Sequence, residues 1–360
     1  MAQVKKKRRS AGRQAKSKQL RKIVIALGLL FIIALGSTFF YFYQRIFSPN
    51  LVLETGESSW IYIKSTDTFE DVVDELNSKK MLRNQETFIW MARFSDYDKK
   101  VKPGRYRIKP GMNNRELVNL LKSGAQEPLR ITLQALKYPE QIAGKIGNLL
   151  EADSAEIIEK LSDKTFITAF GLSKESALGL FLPDTYTFYW NTPSDSFLQF
   201  MGKVYNDFWT PERRKQADEL HLNRREVITL ASIVQQESNK AEEWPIIAGV
   251  YLNRLRRGMK LQADPTVKYA AGMHDMRRVK GILSTDSPYN TYKVHGLPPG
   301  PIYLASGKCI DAVLSANSHG FLFFCANPDK AGYHSFAKTW TEHQINARKY
   351  WRSLDARGIK

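Results

Sequence analysis

Twenty-one consecutive residues, Ile23–Tyr43 (IVIALGLLFIIALGSTFFYFY), carry no charge. At about 1.5 Å per residue, a helix of that length crosses a hydrocarbon core of roughly 30 Å. The run therefore predicts a membrane-spanning helix ahead of any folded domain. It ends in Phe39, Phe40, Tyr41, Phe42 and Tyr43, aromatics suited to the membrane–water interface. A cleaved leader would have a shorter apolar stretch and small residues at its cleavage site, so the segment is expected to stay as an anchor. Ahead of it lie Lys5, Lys6, Lys7, Arg8, Arg9, Arg13, Lys16, Lys18, Arg21 and Lys22, ten positive charges with no acid among them, in a chain of net charge +18. Alone, such an arm would resemble a nucleic-acid tail; beside a span it is the flank that stays cytoplasmic. Residues 1–22 are thus expected inside, 23–43 across the membrane and 44–360 outside, in an inner or plasma membrane, with nucleic acid excluded as a partner.

The outer region is long enough for two folded units, and its hydrophobic and charged fractions, 43% and 25% for the whole chain, are those of globular protein. Ser48-Pro49-Asn50 is expected as a short linker. Over 44–126 the pattern predicts a strand at Trp60–Lys64, a helix capped by Asp67, a second capped by Asn84, a strand at Gly104–Lys109, and a short helix beginning at Asn114 and stopped by Gly124. Strand–helix–helix–strand resembles the LysM module, which implies binding of the amino sugars of peptidoglycan or chitin. An unrelated small α+β unit would have the same spacing. Over 127–360, Leu129–Leu133 is expected as a strand, Ala135–Leu161 as two helices, Leu180–Tyr186 as a strand entering a Pro-Asp turn, and Phe321–Ala326 with His334–Ala337 as a hairpin. Mixed helices and hairpins without repeats predict an α+β fold rather than a parallel array. Cys309 and Cys325 could form a bridge in an oxidising compartment or remain two buried thiols. The six histidines show neither HExxH nor finger spacing, and there is no Walker loop or GxGxxG unit; neither metal nor cofactor is expected.

The chemistry concentrates in LASIVQQESNKAEEWPIIAGVYLNRLRRGMKLQADPTVKY, residues 230–269. At helical period Val227, Leu230, Ala231, Val234 and Glu237 share one stripe, so a carboxylic acid stands where one more apolar residue is called for. Loss of hydration and the negative end of the helix dipole would both raise its pKa, the state a general acid needs near neutrality. A helix end turning to solvent would place it equally well. The next helix, opening at Trp244-Pro245 and stopped after Arg256 and Arg257 by Gly258, carries Asn253 and Arg254 on faces that should be packed. Glu242 and Glu243 precede it in what is expected to be a solvated turn.

The carboxylate helix, VYLNRLRRGM, LQADPTVKYA, SPYNTYKVHGLPPGPI and the final YHSF occur in that order. This set resembles the YceG-like family of membrane-anchored endolytic murein transglycosylases across nearly the whole outer region. The resemblance implies cleavage of nascent peptidoglycan glycan strands between MurNAc and GlcNAc to leave 1,6-anhydro-MurNAc ends, with Glu237 as the acid/base. It also implies association with the glycan polymerases of wall synthesis. Gln235 stands where relatives often have a second glutamate. Asn253, Arg254 and Gln262 are candidates for hydrogen bonds to sugar acetamides or hydroxyls, or for holding the two helices together. Asp264 could contact substrate or cap a helix that continues into Pro265. Tyr289, Asn290 and Tyr292, before the rigid Gly296–Gly300 turn, are candidates for a groove wall or for a loop latched over the core. His334 reads as a core histidine. The rival function is a noncatalytic membrane-anchored peptidoglycan-binding scaffold, which would gain nothing from a carboxylate on a packed stripe.

Overall fold

The structure, a computed structural model, describes residues 2–53, 57–274, 276 and 279–357, with side chains described from residue 20 onward. The side chains of the basic arm from Lys5 to Lys18 lie outside the described residues. Two compact units emerge, 1–127 and 128–360.

In the first unit, α1 runs Ala2–Phe47. Its segment Leu20–Phe47 is long and apolar enough to cross a membrane, with mean hydropathy 2.6, and none of that window is buried. The helix stops where Pro49 disfavours helical backbone in the preceding residue. The segment beyond it is no loose linker. Asn50 is 5% exposed and donates to Asn84 O and Asn114 Oδ1 (2.9 and 2.7 Å), while Asn114 donates to Arg45 O and Thr87 Oγ1 (2.8 and 2.9 Å). This knot of buried amides fastens the end of α1 to the unit, since each group left unpaired there would cost its desolvation. Strands β1 (Ser59–Ile63) and β2 (Gly104–Ile108) pair antiparallel, Ile61 opposite Tyr106. Between them lie α2 (Phe69–Ser78) and α3 (Gln85–Phe94), and α4 (Asn114–Ser123) comes after β2. One cap differs by one residue from expectation, Thr68 rather than Asp67 at α2; α4 begins at Asn114 as expected, with Asn113 as its cap and the Asn114 side chain in the knot. Asn84 caps α3, and Gly124, at φ 72°, ends α4. Ile61, Ile63, Leu76, Phe88, Tyr106 and Leu117 are fully buried in this unit's core.

The second unit begins with β3 (Leu129–Leu133), which pairs antiparallel with β4 (Asp184–Phe188). Between them come α5 (Pro139–Leu149), α6 (Ser154–Ser162), α7 (Lys164–Thr168) and a 3-10 turn, Lys174–Leu180. The strand expected over Leu180–Tyr186 thus starts only at Asp184. Pro183 has no N–H for a ladder, so pairing begins beyond it. Helices α8 (Ser194–Phe208) and α9 (Pro211–Glu219) lead to α10 (Arg224–Glu237), whose Val227, Leu230, Ala231, Ile233 and Val234 are fully buried. Around it pack α11 (Trp244–Arg256), α12 (Asp264–Ala270) and α13 (Gly307–Leu314). The hairpin β5 (Phe323–Ala326) and β6 (His334–Ala337), with Ala326 opposite His334, is backed by α14 (Trp340–Ala356). Both cysteines are free: Cys309 is buried with its thiol toward Ala231 O (3.3 Å), and Cys325 sits partly buried in β5. Helices with small separate antiparallel pairs make this an α+β fold.

Candidate active site

Helix α10 is capped at its start by Asn223 and Glu226 in a reciprocal box and ends on Glu237, with Ser238 already extended. The apolar stripe is consumed by the core, so Glu237 arrives at the rim of that core partly buried. It opens into a cleft of about 420 Å³ lined also by Tyr251, Arg254, Gln262, Asp264 and Tyr292, by Phe323, Phe324 and His334 of the hairpin, and by Trp340 and His343 of α14. Tyr251 Oη donates to Glu237 Oε1 at 2.6 Å. Burial raises the Glu237 carboxyl from its ordinary 4.5 to about 7; the Tyr251 bond opposes this, the Asp264 charge adds to it, and Lys268 and Arg254 oppose it more weakly. Tyr251 is itself pushed well above its usual value by burial, so it stays a donor.

Arg254 reaches the cleft as a brace. It is 8% exposed, and it donates to Leu322 O and Leu261 O, both at 2.7 Å. These bonds join α11 to the chain entering the hairpin and to the turn before α12. Gln262 occupies that turn at φ 51°, a left-handed conformation uncommon outside glycine, and its N–H donates to Thr291 O (3.1 Å). Asp264 is the first residue of α12, but Ala263 holds the cap position; the Asp264 carboxylate instead accepts from the Tyr292 hydroxyl.

Three other candidates lie outside the cleft. Asn253 donates to His319 O and Phe321 O (2.7 and 3.1 Å), latching the loop before β5 onto α11. Asn290 is fully buried and donates to Leu283 O and Thr285 O (3.0 and 2.7 Å). Tyr289 lines a separate depression with Tyr138 and Tyr269 and donates to Glu175 O (3.3 Å). The 287–292 loop is latched over the core through Thr291, whose hydroxyl meets that of Thr266 at 2.8 Å, and only Tyr292 reaches the cleft from it.

Two site features escaped the sequence reading. Glu243 is not in a solvated turn: it is 4% exposed and accepts from Ser238 Oγ (2.9 Å), His334 N (2.8 Å) and His334 Nδ1 (2.9 Å). His334, expected in the core, is fixed by this carboxylate at the cleft wall. Its place just before the helix opening at Trp244-Pro245 suggested a solvated turn, and no local pattern encodes a partner ninety-one residues away. Tyr251 was legible in part, because a buried tyrosine needs a partner for its hydroxyl. Gln235, where a second acid was absent, accepts from both Ser306 N and Ser306 Oγ at 2.8 Å and so tethers the start of α13.

Known proteins resemble this chain over most of its length. An endolytic murein transglycosylase of Bacillus subtilis is 30% identical over 311 residues, 81% of this chain and 84% of that protein. A protein of the same name from Streptococcus pneumoniae is 26% identical over 362 residues, covering 90% of this chain and 64% of its relative. The crystal structure of a YceG-like protein from Listeria monocytogenes superposes with a TM-score of 0.55 at 27% identity, over 80% of this chain and 98% of that one. Residues 61–349 match the YceG-like family, and the chain belongs to it.

Proposed function

We propose that this protein is an endolytic murein transglycosylase that cuts peptidoglycan glycan strands between MurNAc and GlcNAc, with Glu237 acting first as general acid and then as general base. The general activity follows from relatives of that name covering most of the chain. The observation that carries the mechanism is the Glu237 carboxyl, held near pKa 7 on the wall of the cleft. Among the described residues Oε1 is engaged by Tyr251 and Oε2 makes no hydrogen bond, so Oε2 is the oxygen available to carry the transferable proton. It protonates the glycosidic oxygen as the bond to MurNAc C1 breaks. The resulting carboxylate then takes the proton from the MurNAc C6 hydroxyl while O6 closes on C1. Closure within one sugar gains the proximity advantage of an intramolecular step. Hydrolysis would require a second carboxylate roughly 5 to 9.5 Å away to activate water or attack; Asp264 is the nearest in role, with its Oδ1 accepting the Tyr292 hydroxyl, and solvent labelling separates the two routes. Arg254, Gln262 and Tyr292 are assigned to substrate contact within the cleft.

Residues 23–43 serve as a single membrane span with the N-terminus cytoplasmic, 44–126 as a LysM-like glycan-binding unit, and 127–360 as the catalytic domain; glycan polymerases of wall synthesis are the expected protein partners. Digestion of purified glycan strands in heavy-oxygen water tests the chemistry. The new MurNAc ends should carry no label and be lighter than the hydrolytic product by one water. Heavy oxygen at those ends would make the enzyme a hydrolase.

A further inference from the structure

The first unit carries an aromatic surface continuous with the apolar helix. Near the end of α1, Phe42 meets Trp90 of α3 with ring centroids 5.6 Å apart, and Trp90 stacks on Phe94 at 5.3 Å and 11°. The Arg45 guanidinium lies over both Tyr41 (4.5 Å) and Trp90 (5.8 Å). Phe94 is 69% exposed and Phe47 is 40% exposed, an unusual cost for a folded unit to bear without a partner. Around them stand the exposed cations Arg93, Arg115 and Lys122, with Arg115 over the Phe47 ring (5.5 Å) and Lys122 donating to Ser95 O (2.5 Å) at the end of α3; Glu86 is the exposed acid on the same helix.

We infer that the Trp90–Phe94 face of α3 lies in the headgroup layer of the same membrane that α1 crosses, docking the first unit on lipid. The occupant is argued from continuity. Tyr41, Phe42 and Tyr43 end the uncharged run, where aromatic side chains mark the interface, so a ring in contact with Phe42 stands at that depth. The buried amides joining Asn50, Asn114, Thr87 and Arg45 O deny the unit a hinge at the membrane exit, so α3 cannot swing clear. Arginine and lysine beside aromatics suit anionic lipid headgroups. This surface rests on the reading of α1 as a membrane span, and the experiment separates the two.

The full chain is reconstituted in nanodiscs of phosphatidylcholine and phosphatidylglycerol, with ordinary or acyl-brominated lipid. Emission of Trp90 is taken as the difference between the parent and Trp90→Phe; in a second variant, Phe94→Trp, the added indole replaces a side chain that is already exposed and so spares the fold. Brominated lipid should quench both contributions at least twofold. Chain that fails to remain with the nanodiscs would overturn the span itself. Chain that remains, with both contributions unquenched, would overturn the docking surface alone, and a blue-shifted but unquenched added indole would mean that protein covers this face.

Discussion

The Tyr251 hydroxyl, on α11, donates to Oε1 of Glu237, the last residue of α10, at 2.6 Å. Two opposed influences therefore meet on one carboxyl. Burial favours the protonated acid, and the phenol favours the anion; burial is the larger, and the group settles near 7. A group that must give a proton and then take one back works best with a pKa close to the ambient pH. The phenol also engages one of the two oxygens, so in the proposed mechanism the same contact would tune the acid and aim it.

Glu237→Gln removes the transferable proton while keeping size and one acceptor. Cleavage of glycan strands should fall by about 10²–10⁴-fold, the usual contribution of a positioned acid/base, with circular dichroism unchanged. A variant that retained most of its activity while Asp264→Asn lost it would transfer the role to Asp264.

The raised pKa has a signature in stability. Between about 4.5 and about 7 the folded protein holds a proton at Glu237 that the unfolded chain has released, so stability should fall as pH rises through that window. The full shift corresponds to at most about 3 kcal/mol, less because the carboxyl faces an open cleft. Denaturant unfolding at pH 4 and pH 8 should show Glu237→Gln gaining on the parent only at pH 8. Equal differences at both values would mean that the acid is not held protonated by the fold. Activity, needing the acid form, should decline through about pH 7 on the alkaline side.

Neighbours should move that alkaline limb in opposite directions. Tyr251→Phe deletes an interaction that favours the anion, so the limb moves to higher pH, and kcat drops roughly 10–100-fold as a charge-assisted hydrogen bond is lost. Asp264→Asn deletes a charge that favours the acid, so the limb moves to lower pH. Profiles of kcat/KM for the two variants check both signs; shifts in the same direction would contradict the arrangement of these groups around Glu237.

The legible part of the site was the part written in one helix. The stripe from Val227 to Val234 predicts a buried face, and its next position predicts Glu237 at the rim. Arg254, Gln262 and Asp264 sit close to helix ends whose signals are local, and they meet in the cleft with Tyr292, which comes from the 287–292 loop. Asn253 and Asn290 look alike in sequence to sugar-binding amides, yet backbone carbonyls of distant loops claim them. The hairpin strands were readable from FLFFCA and YHSF, but nothing in their alternation says that Phe323, Phe324 and His334 would line the cleft with Glu237. That outcome depends on Arg254 gripping Leu322 O and on Glu243 gripping His334, contacts that exist only after long-range packing.

Glu243 offers the sharpest test of that packing. Its Oε1 accepts the backbone N–H of His334, and its Oε2 accepts both the Ser238 hydroxyl and His334 Nδ1. A carboxylate can only accept, so His334 must place a proton on Nδ1; in the neutral tautomer that does so, Nε2 is the bare nitrogen. Glu243→Gln can keep its carbonyl oxygen on His334 N–H, but its NH₂ then faces Nδ1. The ring should answer by moving its proton to Nε2, which reverses its donor and acceptor ends. Nitrogen-15 spectra of labelled histidine should show that tautomer exchange at His334, with a loss of about 1–3 kcal/mol in unfolding free energy for the strained pairing. If His334 keeps its Nδ1 proton in the variant, the carboxylate is not what sets the ring, and the hairpin holds His334 at the cleft wall by packing alone.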